Sequence, residues 1–476
     1  SATLVAGLTI TDTTTLALEG VDPPFGWTGG TTAVSLTATD PAPAGMVQFA
    51  ATPRAYLDPV GAGLAQPLRS VVFVDATRLT AVVPDGLAEG TYDVIVVNPT
   101  AEVGVLAGAF SVGALPPPVI VEISPASVVN SGPQTVTATG SDFRDPTASL
   151  DCVDPGTGAH STVTATVDAW TDSTADVTIP ADTLPAGTVC VLRLTNGDGT
   201  YADFSAVSVT NPAANLQPFV PGSDMVVARR APASVSGRAT RVARFVYAIG
   251  GDDGAAAGAM ASVEAAPVDL FGAMGTWQPL TYGLPGPRTL AGIAILGRYV
   301  YLVGGNDGAG PTDGVWRAKI LDPGDTPELV DLDLRRSDGT TGMVGGIWHY
   351  RVSAVMPAAD PDNPGGETLP SDPLVVLLPD LPELVRLTVF WTGVAGAESY
   401  RIYRTPAADD PAGAELLLGE VAAGGALSFE DPGLTVGTQA PLRVGDTGNW
   451  AVQPSLTVPR ESPGVAVAAD PATPGL

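Results

Sequence analysis

Three segments of this chain repeat one pattern, in which an arginine is followed by an apolar strand and then by a pair of glycines. Residues 227–251 contain VARR and RFVYAIGG, residues 284–305 read LPGPRTLAGIAILGRYVYLVGG, and residues 456–476 begin with LTVPRESPGVAVA. The glycine pairs start at Gly250 and Gly304, 54 positions apart. Such a period indicates units of a few strands packed side by side. The third unit reaches the last residue before its glycine pair, so we expect the sequence to be part of a longer polypeptide.

The residues between these repeats also favour short strands. The chain of 476 residues contains 56 glycines and 45 prolines. Valine and threonine are abundant, and long apolar stretches with helical spacing are absent, which is typical of many strands joined by turns. At roughly 150 residues a domain, the length predicts about three domains. We predict an all-β fold.

The charge and the hydropathy of the chain exclude several classes of function. A net charge of −28 argues against binding nucleic acid or an anionic membrane surface, because both need basic patches. No apolar run of about 18 residues occurs, so we expect no membrane insertion. No secretory leader opens the chain at Ser1, and we expect any such signal to have been removed.

The two cysteines, Cys152 and Cys190, fall on predicted strands of one predicted domain. A disulfide between them would close a loop of 38 residues and is typical of an oxidising, extracytoplasmic location. The alternative is two buried free thiols, since a free cysteine behaves as a small apolar residue.

Two successive segments near the start, residues 1–115 and 116–213, share an order of strands and turns. The first contains AVVPDGLAEGTYDVIVVNP and the second VTIPADTLPAGTVCVLRLTNGDG, so that in both a strand ends at proline, a glycine-bearing turn follows, and the next strand ends at asparagine. These segments resemble IPT/TIG domains, which are immunoglobulin-like sandwiches often found in tandem in bacterial surface proteins. The resemblance implies two tandem β-sandwiches.

The glycine-pair units resemble kelch repeats, through VYAIGGDDG and VYLVGGNDG. That resemblance implies four-stranded propeller blades within residues 214–322, with Trp277 on the fourth strand of the first blade. The matching tryptophan of the second blade is Trp450, so about 120 residues are inserted before that strand. Residues 443–476 are predicted to complete the second blade and to begin a third. Because propellers use about four to eight blades, we expect further chain or other subunits to complete the ring.

The insert, residues 323–442, resembles a fibronectin type III domain whose strands come in a different order. WHYRVSAV looks like a late strand of that family but comes first, and VRLTVFWTGVAGAESYRIYRTP and ALSFEDPGL then look like earlier strands. We predict one circularly permuted sandwich. The alternative is a hairpin of the propeller followed by an incomplete sandwich; it is the less favoured because an isolated hairpin is rarely stable.

The sequence assigns no catalytic residues. His160 and His349 are the only histidines and fall in different predicted domains, which argues against a histidine-based metal site and a Ser-His-Asp triad. Some kelch propellers are copper oxidases with a Cys-Tyr pair and two histidine ligands, and this chain has no such set. Carboxylates are numerous, but no motif places two of them as a glycosidase pair.

Acidic loops follow the glycine pairs and could supply oxygen ligands to calcium. None has the spacing of an EF-hand, and the alternative role is capping of turns, which aspartate and asparagine favour. The candidate calcium ligands are Asp252, Asp253, Asn306, Asp307 and Asp313, and Asn196 and Asp198 form a similar turn. Beyond calcium, we expect no cofactor.

The strand SYRIYR carries the candidate binding residues. Alternation along a strand places Tyr400 on one face and Arg401 with Tyr403 on the other. We predict that Tyr400 and Trp391 lie in the core. Arg401, Tyr403 and Arg404 are predicted to form an exposed cluster, since arginine and tyrosine are enriched at binding hot spots.

These features together predict an extracellular, non-catalytic structural or adhesive protein of a bacterial surface or appendage. The expected partners are other copies of the chain, surface or appendage proteins, and glycans, but not nucleic acid. One alternative is a secreted carbohydrate-active or oxidase-type enzyme whose active site lies in propeller sequence outside this chain. Another is a component of a phage or tail-like fibre.

Overall fold

The structure is a computed structural model, and it describes most of the chain. Within the described residues the chain forms 32 β-strands and one short 3-10 helix, with no α-helix, as the composition predicts. None of the described helical structure is long and apolar enough to cross a membrane. The described residues are 14–50, 53–61, 63–98, 100–129, 131–153, 159–180, 189–210, 222–240, 242–254, 258–337, 341–379 and 383–467.

The first module packs two antiparallel sheets on each other, in the orders β1-β3-β7-β6 and β2-β9-β8-β4-β5. Strict alternation produces this arrangement: Val34, Leu36 and Ala38 of β3 are buried between the sheets, and the residues between them face outward. Its strands are β1 (Leu18–Asp22), β2 (Phe25–Trp27), β3 (Thr32–Ala38), β4 (Arg54–Pro59), β5 (Gln66–Pro67), β6 (Arg69–Asp75), β7 (Arg78–Val83), β8 (Gly90–Val97) and β9 (Val103–Gly113).

The second module forms one continuous, nearly closed sheet of eight strands, in the order β10-β12-β15-β14-β13-β16-β17-β11. Its strands are β10 (Val119–Ser124), β11 (Ser127–Val129), β12 (Gln134–Ser141), β13 (Thr147–Val153), β14 (His160–Trp170), β15 (Thr174–Ile179), β16 (Val189–Thr195) and β17 (Tyr201–Thr210).

The continuity of this sheet differs from the two separate sheets that the sequence predicts. β14 is 11 residues long, and its first half pairs with β13 while its second half pairs with β15. A register shift between Val167 and Ala169 bends the strand where the pairing changes. One long strand therefore joins the two layers.

The predicted disulfide is present between Cys152 of β13 and Cys190 of β16. The two residues are directly opposed across the strand pair, with Cα atoms 4.1 Å apart. Both are fully buried in the core of the second module. The alternative of two free thiols is wrong.

Two four-stranded antiparallel sheets follow, and we call them the first and second blade-like sheets. The first contains β18 (Ala233–Arg238), β19 (Arg244–Ile249), β20 (Val263–Val268) and β21 (Gln278–Pro279), and the second contains β22 (Gly292–Leu296), β23 (Tyr299–Val303), β24 (Val315–Lys319) and β32 (Ala451–Gln453). β32 pairs with β24 although the insert separates them in sequence, as the Trp450 pattern predicts. Both fourth strands begin immediately after a tryptophan, Trp277 or Trp450.

The glycine pairs join one unit to the next. The Gly251 N–H donates to the Arg288 carbonyl at 2.7 Å, and the Gly305 N–H donates to the Arg460 carbonyl at 2.8 Å. Gly250 and Gly304 have φ of 61° and 59°, and a Cβ at either position would lie 2.2 or 2.6 Å from the same carbonyl oxygens. Only glycine fits such a position. The segment around Arg460 therefore contacts the second sheet in the same way as the segment around Arg288 contacts the first. The third unit is predicted to continue through residues 468–476, which lie outside the described residues.

The insert forms a single sandwich with one core. Its sheets have the orders β25-β28-β31 and β27-β26-β29-β30, so the early hairpin β26–β27 shares a sheet with later strands, and the alternative of a separate propeller hairpin is wrong. Trp391 and Tyr400 are buried in this core, as predicted. After the 3-10 helix Pro323–Asp325, the strands are β25 (Leu329–Arg336), β26 (Gly346–Val355), β27 (Leu374–Leu378), β28 (Val385–Trp391), β29 (Ser399–Arg404), β30 (Leu416–Ala422) and β31 (Ser428–Asp431).

Candidate functional site

The predicted binding cluster on β29 is buried rather than exposed. Tyr403 is 0% exposed and Arg404 is 3% exposed, while Arg401 is partly buried. β29 is a central strand of its sheet, and both faces of that sheet are covered. The expectation of an exposed aromatic and arginine cluster is therefore wrong.

On one face of β29, Arg401 and Tyr403 converge on the buried carboxylate of Glu367. The hydroxyl groups of Tyr403 and Ser353 donate to Glu367 Oε1, and Arg401 Nη1 donates to Oε2 at 2.9 Å. The Glu367 backbone N–H donates to the hydroxyl oxygen of Tyr282, which lies between β21 and β22. Burial, and then the charge of Glu367, raise the pKa of Tyr403 above its usual range. The network therefore connects the insert to the blade-like sheets.

On the other face, Arg404 forms a buried ion pair inside the sandwich. Its Nη1 lies 2.5 Å from Asp431 Oδ2, which also accepts the Tyr350 hydroxyl at 2.7 Å. Arg404 Nη2 donates to the Leu434 carbonyl at 2.6 Å, and the guanidinium stacks on the Trp348 ring with its centre 4.8 Å from the ring centroid. Because these groups satisfy one another, Arg404 has a structural role.

Asp446 lies near the Glu367 network and is buried. Burial raises the pKa of the Asp446 carboxyl from 3.8 to about 6, and the negative charge of Glu367 adds to this effect. Between these two pH values the folded protein holds a proton that the unfolded chain releases. The free energy of unfolding therefore falls as pH rises through this window, by about 3 kcal/mol in total.

Asp446→Asn should remove this penalty. Asparagine cannot ionise, yet its carbonyl oxygen can still accept the Arg443 N–H that Asp446 Oδ2 accepts at 2.8 Å. We expect the variant to gain about 3 kcal/mol of stability over wild type at pH 7.5 and almost nothing at pH 3.5. Urea unfolding at several pH values measures the difference. A difference that stays constant with pH would contradict the prediction.

The predicted calcium ligands are engaged in turns. The Asp252 carboxylate accepts the Gly254 N–H at 2.6 Å and pairs with Arg230 at 3.2 Å. Asp307 accepts the backbone N–H groups of Ala309 and Gly310, and Asn306 accepts that of Gly308 at 2.8 Å. In the described part of the chain no three acidic, histidine or cysteine side chains are grouped to hold a metal ion. These hydrogen bonds are those expected if the residues cap turns, which is the alternative to calcium binding. The other two candidates, Asp253 and Asp313, lie in the same loops.

The similar turn in the second module is also occupied by protein contacts. Asn196 Oδ1 accepts the Arg144 N–H at 2.9 Å, and its amide donates to the Asp142 carbonyl at 2.9 Å. Asp198 pairs with Arg144 at 2.9 Å. These contacts hold the turn between β16 and β17 against the loop between β12 and β13.

The two histidines have different neighbours. His160 lies 3.2 Å from Asp151 in the second module and contacts the Phe271 ring edge-on. His349 is buried in the insert, and burial lowers its pKa. The two histidines therefore lie in different modules and do not share a site.

The structure contains a cleft that sequence reasoning missed. It has a volume of about 890 Å³ and lies where the first module, the start of the second module, the insert and the loop after β24 meet. The first module contributes Arg54 and Tyr56 to one wall, and the insert contributes Asp372 to the other. These residues are about 300 positions apart, so nothing in the sequence pattern signals that they face each other.

Two polar contacts cross this cleft. Arg69 pairs with Glu328 at 3.0 Å, and the Ser70 N–H donates to both carboxylate oxygens of Asp372 at 2.7 and 2.9 Å. Both contacts are exposed to solvent, and they join the two walls. The cleft is the candidate binding site of this protein.

Comparison with protein-family models and with curated proteins finds no match to this chain. What is shown is an all-β protein of several sheets with a buried disulfide. The disulfide indicates an oxidising, extracytoplasmic environment.

Proposed function

We propose that this protein is a non-catalytic structural and adhesive component of a bacterial cell surface or surface appendage, acting through assembly and ligand binding. The observation that carries the proposal is the set of contacts between modules. Side chains tie each module to a neighbour, so that separate sandwiches and blade-like sheets form one continuous body. Such a body transmits force and presents binding surfaces in fixed positions.

The first and second modules meet at Tyr201. Its hydroxyl donates to Asp22 of the first module, and its ring packs edge-on against Phe25 with centroids 4.9 Å apart. Arg193 stacks on the same ring at 3.6 Å and pairs with Asp203 at 2.7 Å. Of these contacts, the Phe25–Tyr201 ring pair and the Tyr201–Asp22 hydrogen bond cross between the modules, as does an ion pair of Arg193 with Asp22 at 3.8 Å, and together they restrict rotation there.

The insert is fixed to the second blade-like sheet by a different set of contacts. Asp362 accepts the Tyr299 hydroxyl at 2.9 Å and pairs with Arg317 at 2.6 Å. The Asn449 N–H donates to the Asn363 side chain at 2.7 Å, directly before β32. The insert therefore packs against the second blade-like sheet, and in sequence it lies between β24 and β32 of that sheet.

The strand arrangements support the family resemblances on which the proposal also rests. Two four-stranded sheets joined by glycine pairs are the arrangement expected of kelch-like blades. The three-stranded and four-stranded sheets of the insert suit a rearranged fibronectin-like sandwich, and the two packed sheets of the first module suit an immunoglobulin-like domain of the IPT/TIG kind. These domain types act mainly by binding and assembly.

Localisation and assembly state in producing cells test the proposal. An antibody against the protein should label intact cells or their isolated appendages, and electron microscopy should show the chain in a filament, ring or layer. The two cysteines should be oxidised when the sample is trapped with a thiol-blocking reagent. Labelling only after lysis, with reduced cysteines, would contradict the proposal, and so would turnover of a substrate by the purified chain.

A further inference from the structure

The cleft between the first module and the insert presents an arginine and an aromatic ring side by side. Arg54 and Tyr56 lie on β4, where Ala55 and Leu57 point into the core. Residues two apart on a strand share a face and lie about 7 Å from each other. Both side chains line the cleft.

The charged groups of the cleft other than Arg54 are engaged by neighbouring residues. Asp372 accepts the Ser70 N–H, and Asp142 accepts the Ser141 hydroxyl. Arg69 pairs with Glu328, and Arg298 pairs with Asp322. By contrast, the side chain of Arg54 makes no hydrogen bond or ion pair with any residue in the described ranges. The Tyr56 hydroxyl and the indole N–H of Trp27, which also lines the cleft, are likewise without a partner there.

These three groups define the chemistry of a ligand. A guanidinium and an indole N–H only donate hydrogen bonds, so their complement is rich in acceptors. The guanidinium in addition favours a carboxylate, which it can bind through two parallel hydrogen bonds. An unpaired arginine in a cleft is notable in a chain of net charge −28, where carboxylates are in excess.

The cleft is also rigid and of suitable size. Prolines line both walls, among them Pro53, Pro67, Pro323, Pro327 and Pro373. Proline fixes φ, so little conformational entropy remains to be lost when a ligand binds. A volume of about 890 Å³ lies in the range typical of small-molecule sites and accommodates a few sugar rings.

We propose that this cleft binds an acidic oligosaccharide, with a uronic acid ring against Tyr56 and its carboxylate paired with Arg54. The inference rests on the adhesive function proposed above and names its ligand class. The spacing of the two side chains fits a pyranose ring that carries its carboxylate as a ring substituent. Trp27 provides a further donor for a hydroxyl or ring oxygen.

An extended acidic peptide fits the cleft less well. Such peptides commonly bind by adding a strand to a free sheet edge. Two edge strands of the first module line this wall. In β6 (Arg69–Asp75) the Ser70 N–H already donates to Asp372, and β5 has only two residues, Gln66 and Pro67. Pro67 has no backbone N–H to donate, so this edge is a poor template for strand addition.

Binding of defined tetrasaccharides to the purified chain tests the proposal. The probes are tetramers of galacturonic, mannuronic and guluronic acid, and the matched control ligands are their methyl esters, which keep the rings and remove the charge. By titration calorimetry we expect at least one acid tetramer to bind at least tenfold more tightly than its ester. Arg54→Gln should weaken binding of the acid by about 10-fold to 100-fold and leave binding of the ester unchanged.

Arg335→Gln is the control variant, because Arg335 is an exposed arginine of the insert outside the cleft. It should leave all affinities unchanged, and Tyr56→Leu should weaken binding of acid and ester alike. The thermal midpoint of each variant checks that the chain is folded. If Arg54→Gln fails to fold, two measurements still test the proposal: the preference of the wild-type chain for acid over ester, and the loss of binding in Tyr56→Leu.

Three results would overturn the proposal: no binding of any acid tetramer at millimolar concentration, equal binding of acid and ester, or binding of a tetraglutamate peptide with the same dependence on Arg54. Because the titration uses the purified chain, its outcome does not depend on where the protein resides. A negative titration with positive surface labelling would reject the ligand and retain the surface function.

Discussion

Replacing Cys152 and Cys190 together with alanine should lower the free energy of unfolding of the second module by about 4 kcal/mol. The disulfide closes a loop of 38 residues, and its loss frees the unfolded chain to adopt conformations that the bridge excludes. Both sulfur atoms also lie in the core, so their removal leaves a small cavity. Urea unfolding followed by circular dichroism measures the loss.

A reducing agent provides the control for this experiment. Reduced wild-type protein should unfold near the urea concentration of the alanine variant, and the variant should not respond to the reductant. The contacts of Tyr201 with the first module should remain until the second module unfolds, because Tyr201 pairs with Thr195, at the opposite end of β16 from Cys190. An unchanged transition in the double variant would contradict the prediction.

Glu264→Gln should destabilise the first blade-like sheet by about 3–5 kcal/mol, because it leaves a charged arginine buried without its counterion. The side chains of Arg229 and Glu264 are 0% and 1% exposed, and they pair at 2.6 Å. Glu264 also accepts the N–H groups of Val226 and Val227 at 2.8 and 3.1 Å, so it anchors the segment that precedes β18. Thermal and urea unfolding measure the effect.

An exposed pair of the same chemistry is the matched control. Arg336 and Glu383 pair at 3.0 Å with both side chains largely in solvent, so Glu383→Gln should cost less than about 1 kcal/mol. Combining Glu264→Gln with Arg229→Met removes the stranded charge and should recover part of the lost stability. Similar costs for the buried and the exposed substitutions would show that burial of the pair contributes little.

Local patterns in the sequence were sufficient for several parts of the fold. Alternation predicts the strands, and the two cysteines on strands of one domain pair as expected. The glycine pairs at Gly250 and Gly304 mark where backbones of successive units approach closely, and the recurrence of tryptophan at Trp450 identifies the strand that returns after the insert. Each of these features is set by contacts that recur at fixed spacing.

Other features, such as whether a side chain is exposed, depend on which part of the protein covers that face of the strand. Alternation correctly places Arg401 and Tyr403 on one face of β29, since both donate to Glu367. It could not show that this face lies against the blade-like sheets, and the expectation of exposure failed for that reason. The long strand β14 likewise has an alternating pattern whether it belongs to one sheet or joins two.

Patterns in the sequence alone predict the all-β class, the repeat that builds the blade-like sheets, the disulfide and the position of the insert. These depend on the two-residue period of strands, the conformational freedom of glycine and the proximity of paired strands. The burial of Tyr403 and the position of Arg54 across a cleft from the insert come instead from the packing of the folded modules. Burial and clefts arise where surfaces distant in sequence meet, and their positions follow from packing between modules.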